Sequence, residues 1–134
     1  MIQTYAAGQG EKLLKRLAHR LSQAASSPHP DAVHDLRVAI RRFQQFLRVF
    51  RQFLPDRTAR KIRRRLRKIM KSAGEVRNRD IAAKLLRQTD RTSSLELSTR
   101  LARKRRQAEQ DLIDRLNGLK KGDFERKWHA KLQF

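Results

Sequence analysis

His34, Arg37, Arg41 and Arg48 follow one another at steps of three, four and seven residues. In a helix those steps return to one face, so an imidazole and three guanidiniums would stand in a single row. Further along, Arg60, Arg64, Arg67 and Lys71 repeat the spacing. Two such rows side by side, with neighbouring side chains about 5–6 Å apart along each, would make a groove in which successive cations meet successive anionic groups of a chain. Guanidinium forks bind phosphate oxygens bidentately, each bond charge-assisted, and an imidazole N–H can donate to the same oxygens. A groove of this kind reads charge density and not bases.

Catalysis finds little support in the same residues. General acid–base work or metal-assisted hydrolysis needs convergent carboxylates or a His/Asp/Glu set, whereas the 13 acidic residues are dispersed among bases. The four histidines, His19, His29, His34 and His129, are too scattered for a ligand cluster, and the absence of cysteine removes disulfides and thiolate metal sites. No Gly-x-x-x-x-Gly-Lys-Ser/Thr loop is present to cradle a nucleotide. The expectation is a binding module that is not an enzyme and needs no metal or cofactor.

The elements that must carry these rows are helices. Val33, Leu36, Ile40, Phe43, Leu47, Phe50 and Leu54 alternate three- and four-residue steps, giving one helix from Pro30 to Leu54 a packing stripe flanked by the His34 row. Pro30 and Asp31 suit its first turn, where a missing N–H costs nothing and a carboxylate meets the positive end of the dipole. Ahead of it, Leu13, Leu14, Leu17 and Leu21 mark an amphipathic helix running to about Ser26. After Pro55, Ala59, Ile62, Leu66, Ile69 and Ala73 define a third seam whose remaining positions are almost all basic. Like charges four residues apart each cost a helix a few tenths of a kcal/mol. Nothing acidic offsets Arg60 with Arg64 or Arg67 with Lys71, which points to a ligand for this face.

Gly74 is expected to break the third helix, with Asn78-Arg79-Asp80 restarting it and Arg77 in the break. Ser93-x-x-Glu96 reads as a capping box opening a long last helix, in which Lys104 and Arg105 interrupt the apolar face. Phe124, Trp128 and Phe134 leave the tail free to pack on the bundle or to form an interface. The fold expected is all-α, a four-helix-type bundle of long helices in a single domain over residues 1–134.

Charge sets the class of partner. Lys and Arg number 34 against 13 Asp and Glu, a formal +21 in 134 residues, which attracts polyanions and opposes compaction by self-repulsion. With 38% hydrophobic residues in clear periodic stripes, the chain is still expected to fold. The apolar runs are too short to insert in a membrane and the first residues lack a secretory pattern, so a cytoplasmic location is the default.

Two motifs, His34-x-x-Arg37-Val38-x-x-Arg41-Arg42 and Gly74-x-Val76-Arg77-x-x-Asp80, separated by an apolar run with phenylalanines and a basic helix, resemble the CHAD domains, the conserved histidine α-helical domains. The second motif in that family usually has Asp directly after the Arg; here Asn78 stands there. The resemblance implies binding of inorganic polyphosphate, with an association with polyphosphate granules in some members. His34, Arg37, Arg41 and Arg42 would supply one wall and Arg77 would belong to the second motif; spacing adds Arg48, Arg60, Arg64, Arg67 and Lys71. The chain carries no Glu-x-Glu-x-Lys signature of the triphosphate tunnel enzymes to which such domains are often fused. Complete members resemble two similar bundles related by a pseudo-two-fold, and one copy of each motif here implies a homodimer. The alternative is a nucleic-acid-binding helical protein. It would need exposed aromatics for stacking or base-reading Asn and Gln on a recognition helix, and the basic helix has neither Asn nor Gln between Arg57 and Ser72.

Overall fold

The computed structural model describes residues 1–89 and 95–134. These residues form α1 (Ile2–Ser26), α2 (Pro30–Val49), α3 (Asp56–Thr89), α4 (Leu95–Lys121) and α5 (Phe124–Lys131), with a short 3-10 turn at Arg51–Phe53. The start of α2 follows from its sequence: Pro30 occupies the first turn, and the His29 ring accepts a hydrogen bond from the Ala32 N–H at 3.3 Å. The helix ends at Val49, five residues short of Leu54, because the chain tightens into the 3-10 turn before Pro55.

Helix α1 packs on α2 and α4, and α3 packs on the same two, which closes a four-helix bundle. Neighbours run antiparallel. Arg20 donates to Asp35 at 3.3 Å between α1 and α2, while Gly10 lies against Phe46. Between α3 and α4, Ser72 donates to Asp111 at 3.0 Å and Arg105 holds Asp80. The stripes read from the sequence meet in one core, with Leu17, Leu21, Leu36, Ile40, Phe43, Leu66, Leu112 and Leu116 fully buried. Each such side chain contributes roughly 1.5–3 kcal/mol of burial, which offsets the self-repulsion of the charged surface.

The tail belongs to this core. Asp123, in the left-handed region at φ 52 and ψ 52, turns the chain after α4, so that α5 lies back on the bundle. Trp128 stacks on Phe43 with ring centroids 6.4 Å apart, and Phe134 meets Phe46 edge-on at 5.7 Å. Gly10 makes room for this plug: a Cβ there would stand 2.7 Å from Phe46 and closer still to Phe134.

The expected break at Gly74 does not occur. Helix α3 passes through Gly74 and Asn78 without interruption, and Gly74 keeps a negative φ. Ile69, Ala73 and Val76 are buried on either side of it, and their packing outweighs the ~1 kcal/mol that a glycine costs a helix interior. The Ser93 capping box lies outside the described residues. Beyond Val76 the inner face of α3 changes from apolar to charged, with Arg77, Asp80, Lys84 and Arg87 replacing the seam residues. The bundle therefore opens at the end where α2 begins.

Candidate polyanion-binding groove

Because α2 and α3 are antiparallel, the two cationic rows run alongside each other in opposite directions. At one end, a cavity of about 400 Å³ is lined by Gln44 and Arg48 of α2 and by Arg60, Arg63, Arg64 and Arg67 of α3. At the other end, a cavity of about 380 Å³ brings together His34, Arg77, Lys84 and Arg87, with Asp80 and Arg105 in its wall. Arg37 and Arg41 occupy the α2 row between them. From His34 to Arg48 the row spans 14 residues, roughly 21 Å along the helix.

Arg37 carries the electrostatic signature of the groove. Its Nε is buried with no hydrogen-bond partner among the described residues. Its pKa is held below the ordinary value by burial first, then by the like charges of Arg77 and Arg41. A partly buried guanidinium with an unfilled donor, crowded by two more arginines, lacks one thing: an acceptor carrying negative charge.

Few acids lie close by. Among the described residues, Arg37, Arg41, Arg48, Arg63, Arg64, Arg67 and Arg77 make no ion pair. Arg60 is the exception in the row, donating to Asp56 at 2.6 Å. Asp80, the carboxylate best placed by sequence to neutralise Arg77, is taken by Arg105, which also pairs with Glu109 at 2.6 Å and donates to the Pro28 carbonyl at 3.2 Å. These partners hold the Arg105 pKa above its ordinary value, the Asp80 hydrogen bond being the largest cause and burial opposing it. Arg105 is thus committed to tying α4 to α3 and to the α1–α2 turn. Lys104 beside it is exposed.

Of the residues singled out by sequence, His34 and Arg77 share one cavity, Arg48, Arg60, Arg64 and Arg67 share the other, and Arg37 and Arg41 stand between. Arg42 and Lys71 line neither. Arg42 lies seven residues on from Asp35, on the flank of α2 that meets α1. Lys71 is exposed and prolongs the Arg60–Arg64–Arg67 row beyond the cavity. Gln44, Arg63, Lys84 and Arg87 are additions from the structure. Gln44 was visible in principle, since it completes the three-four step between Arg41 and Arg48. Lys84 and Arg87 come into phase with Arg77 only if α3 continues past Gly74.

Two further facts bear on the site. No described helix is long and apolar enough to cross a membrane. Of the aromatic rings that might stack on bases, Phe43, Phe46, Phe124 and Trp128 are buried and Phe50, Phe53 and Phe134 half-buried, while Tyr5 is exposed at the start of α1 with its ring 6.4 Å from that of Phe50 at the end of α2.

Comparison with known proteins gives one match. The family model described as the CHAD domain fits residues 8–134. No curated protein and no solved structure matches the chain significantly.

Proposed function

This chain belongs to the CHAD-domain family, and on that premise we propose that it binds inorganic polyphosphate, without catalysis, along the groove between α2 and α3. Arg37 carries the reading: a buried, unfilled guanidinium donor flanked by Arg41 and Arg77 and, among the described residues, paired with no carboxylate. Phosphate oxygens supply what it lacks. A chain of phosphates lying along the groove would meet His34, Arg77, Lys84 and Arg87 at one end and Arg48, Arg63, Arg64 and Arg67 at the other. His34 donates to a phosphate oxygen, the guanidiniums bind bidentately, and Gln44 offers an uncharged donor among them.

The functional unit proposed is a homodimer, since the chain holds one copy of each family motif; a monomer by light scattering at micromolar concentration would remove that part. Nucleic acid is the rival ligand, and the buried rings disfavour its stacking mode. Calorimetric titration with long-chain polyphosphate and with free phosphate at equal phosphate concentration tests the proposal. Binding of the chain at least a hundredfold tighter per molecule supports a groove; equal weak binding of both leaves only diffuse charge attraction.

A further inference from the structure

A second basic cleft lies on the opposite flank of α3. It has a volume of about 530 Å³ and is lined by Arg57, Thr58, Lys61 and Arg65 of α3 and by Trp128 and Lys131 of α5. Among the described residues none of its four cations makes an ion pair. Some surface cations elsewhere are paired, as in Lys15–Glu11, Arg115–Asp111 and Arg126–Asp123. Arg57, Lys61 and Arg65 succeed one another at four-residue steps, so each repels the next along one line of the helix. The turn at Asp123 that brings α5 back to the bundle adds Lys131 to the same concentration of charge. A fold that tolerates this repulsion in two separate places on one helix has two places for a counter-charge.

The two places are joined. Arg63, in the groove, and Arg65, in the cleft, are two residues and so about 200° apart around α3. Between Arg57 and Lys71 every residue in that arc is Arg or Lys. The crest of α3 therefore offers an unbroken cationic path from one site to the other, roughly 19 Å around a helix ~11 Å across.

Resting on the polyphosphate reading of the groove, we propose that the α3–α5 cleft is a second phosphate-binding site, and that one long polyphosphate chain crosses α3 to occupy both. The Thr58 hydroxyl and the Arg57, Lys61, Arg65 and Lys131 cations hold the phosphates, and the edge of Trp128 forms the floor. Short anions fill the two sites separately; long chains gain from the second site as an intramolecular event.

Trp128 is the only tryptophan in the chain, so its fluorescence reports on the cleft. Tripolyphosphate is titrated into the full chain while fluorescence and heat are recorded in parallel. A saturable tryptophan shift is expected. Arg57→Gln/Lys61→Gln/Arg65→Gln should weaken it at least about tenfold, and Lys131→Gln alone, from the other wall, about threefold. The shift should persist in Arg37→Ala/Arg41→Ala, and in Arg103→Gln/Lys104→Gln/Arg106→Gln, which removes the same charge from α4. Heat without a tryptophan shift, or a shift that survives both cleft variants, overturns the second site and leaves the groove standing. A shift lost equally in the α4 control reduces the cleft to general charge and overturns it as well. Absence of heat with both tripolyphosphate and long-chain polyphosphate overturns the groove reading itself.

Discussion

Arg105 of α4 holds Asp80 of α3 through a short hydrogen bond between two side chains that are each about one-fifth exposed. Among the described residues Arg77, one turn before Asp80, is thereby left without a carboxylate partner, and this end of the groove keeps its positive charge through a contact that also fastens the bundle.

Stability and affinity should therefore move in opposite directions in Asp80→Asn. Loss of the carboxylate leaves Arg105 with Glu109 and the Pro28 carbonyl, and unfolding free energy should fall by about 1–3 kcal/mol, less than for a fully buried pair. Polyphosphate affinity should rise, since the cavity of His34 and Arg77 loses its nearest negative charge. Chemical denaturation and calorimetry on the same variant check both signs. The raised pKa of Arg105 means that its share of stability is fully present below its ordinary value and is lost only as pH climbs through the higher folded value. The Arg105 contribution should be flat across neutral and mildly alkaline pH.

Arg37 gives the converse case. Folding lowers its pKa, so the charged form is disfavoured in the folded chain at every pH below that value. Arg37→Gln should raise the melting temperature of the free protein by a few degrees, as expected for relieving an unfilled donor worth ~1 kcal/mol. The same variant should lose most of the further rise that polyphosphate gives the wild type. A free-protein melting temperature below wild type would mean that Arg37 is paired in solution.

Much of this architecture could be read from spacing. The stripes at Val33–Leu47 and Ala59–Ala73 are buried as their three-four steps require, and Pro30 opens α2 as its chemistry predicts. Gly74 misled because a propensity of about 1 kcal/mol is a local term, whereas Val76 on its far side is buried by helices distant in sequence. That one error hid the phase of Lys84 and Arg87. Arg105 was ambiguous for the same reason: an interrupted stripe gives no sign of whether a carboxylate waits across the interface, and Asp80 lies 25 residues away in the chain.

Gly10 offers a test of the aromatic plug. Gly10→Ala should gain helix propensity of up to about 1 kcal/mol but drive a methyl group into the Phe46 and Phe134 rings. Overpacking costs typically 1–3 kcal/mol, so the net change should be destabilising. Adding Phe134→Ala should relieve the clash and make the glycine substitution neutral or favourable in that background, which a double-mutant cycle by denaturant unfolding reads directly.

Groove cations should be countable from salt dependence. Each cation that contacts a phosphate adds close to one to the slope of log affinity against log salt. Arg63→Gln and Lys84→Gln, one from each cavity, should each lower the slope by about one, and Lys12→Gln on the exposed face of α1 should leave it unchanged.

Competition at about 150 mM salt, where diffuse attraction to nucleic acid weakens steeply, separates a polyphosphate groove from a general anion-binding surface. Labelled long-chain polyphosphate is bound to the wild type and to Arg37→Ala/Arg41→Ala, and challenged with duplex DNA and single-stranded RNA at equal phosphate concentration. Polyphosphate should stay bound to the wild type, and the double variant should fail to hold it. Displacement by either nucleic acid, with the double variant behaving as wild type, would contradict the polyphosphate groove and make the chain a general nucleic-acid binder.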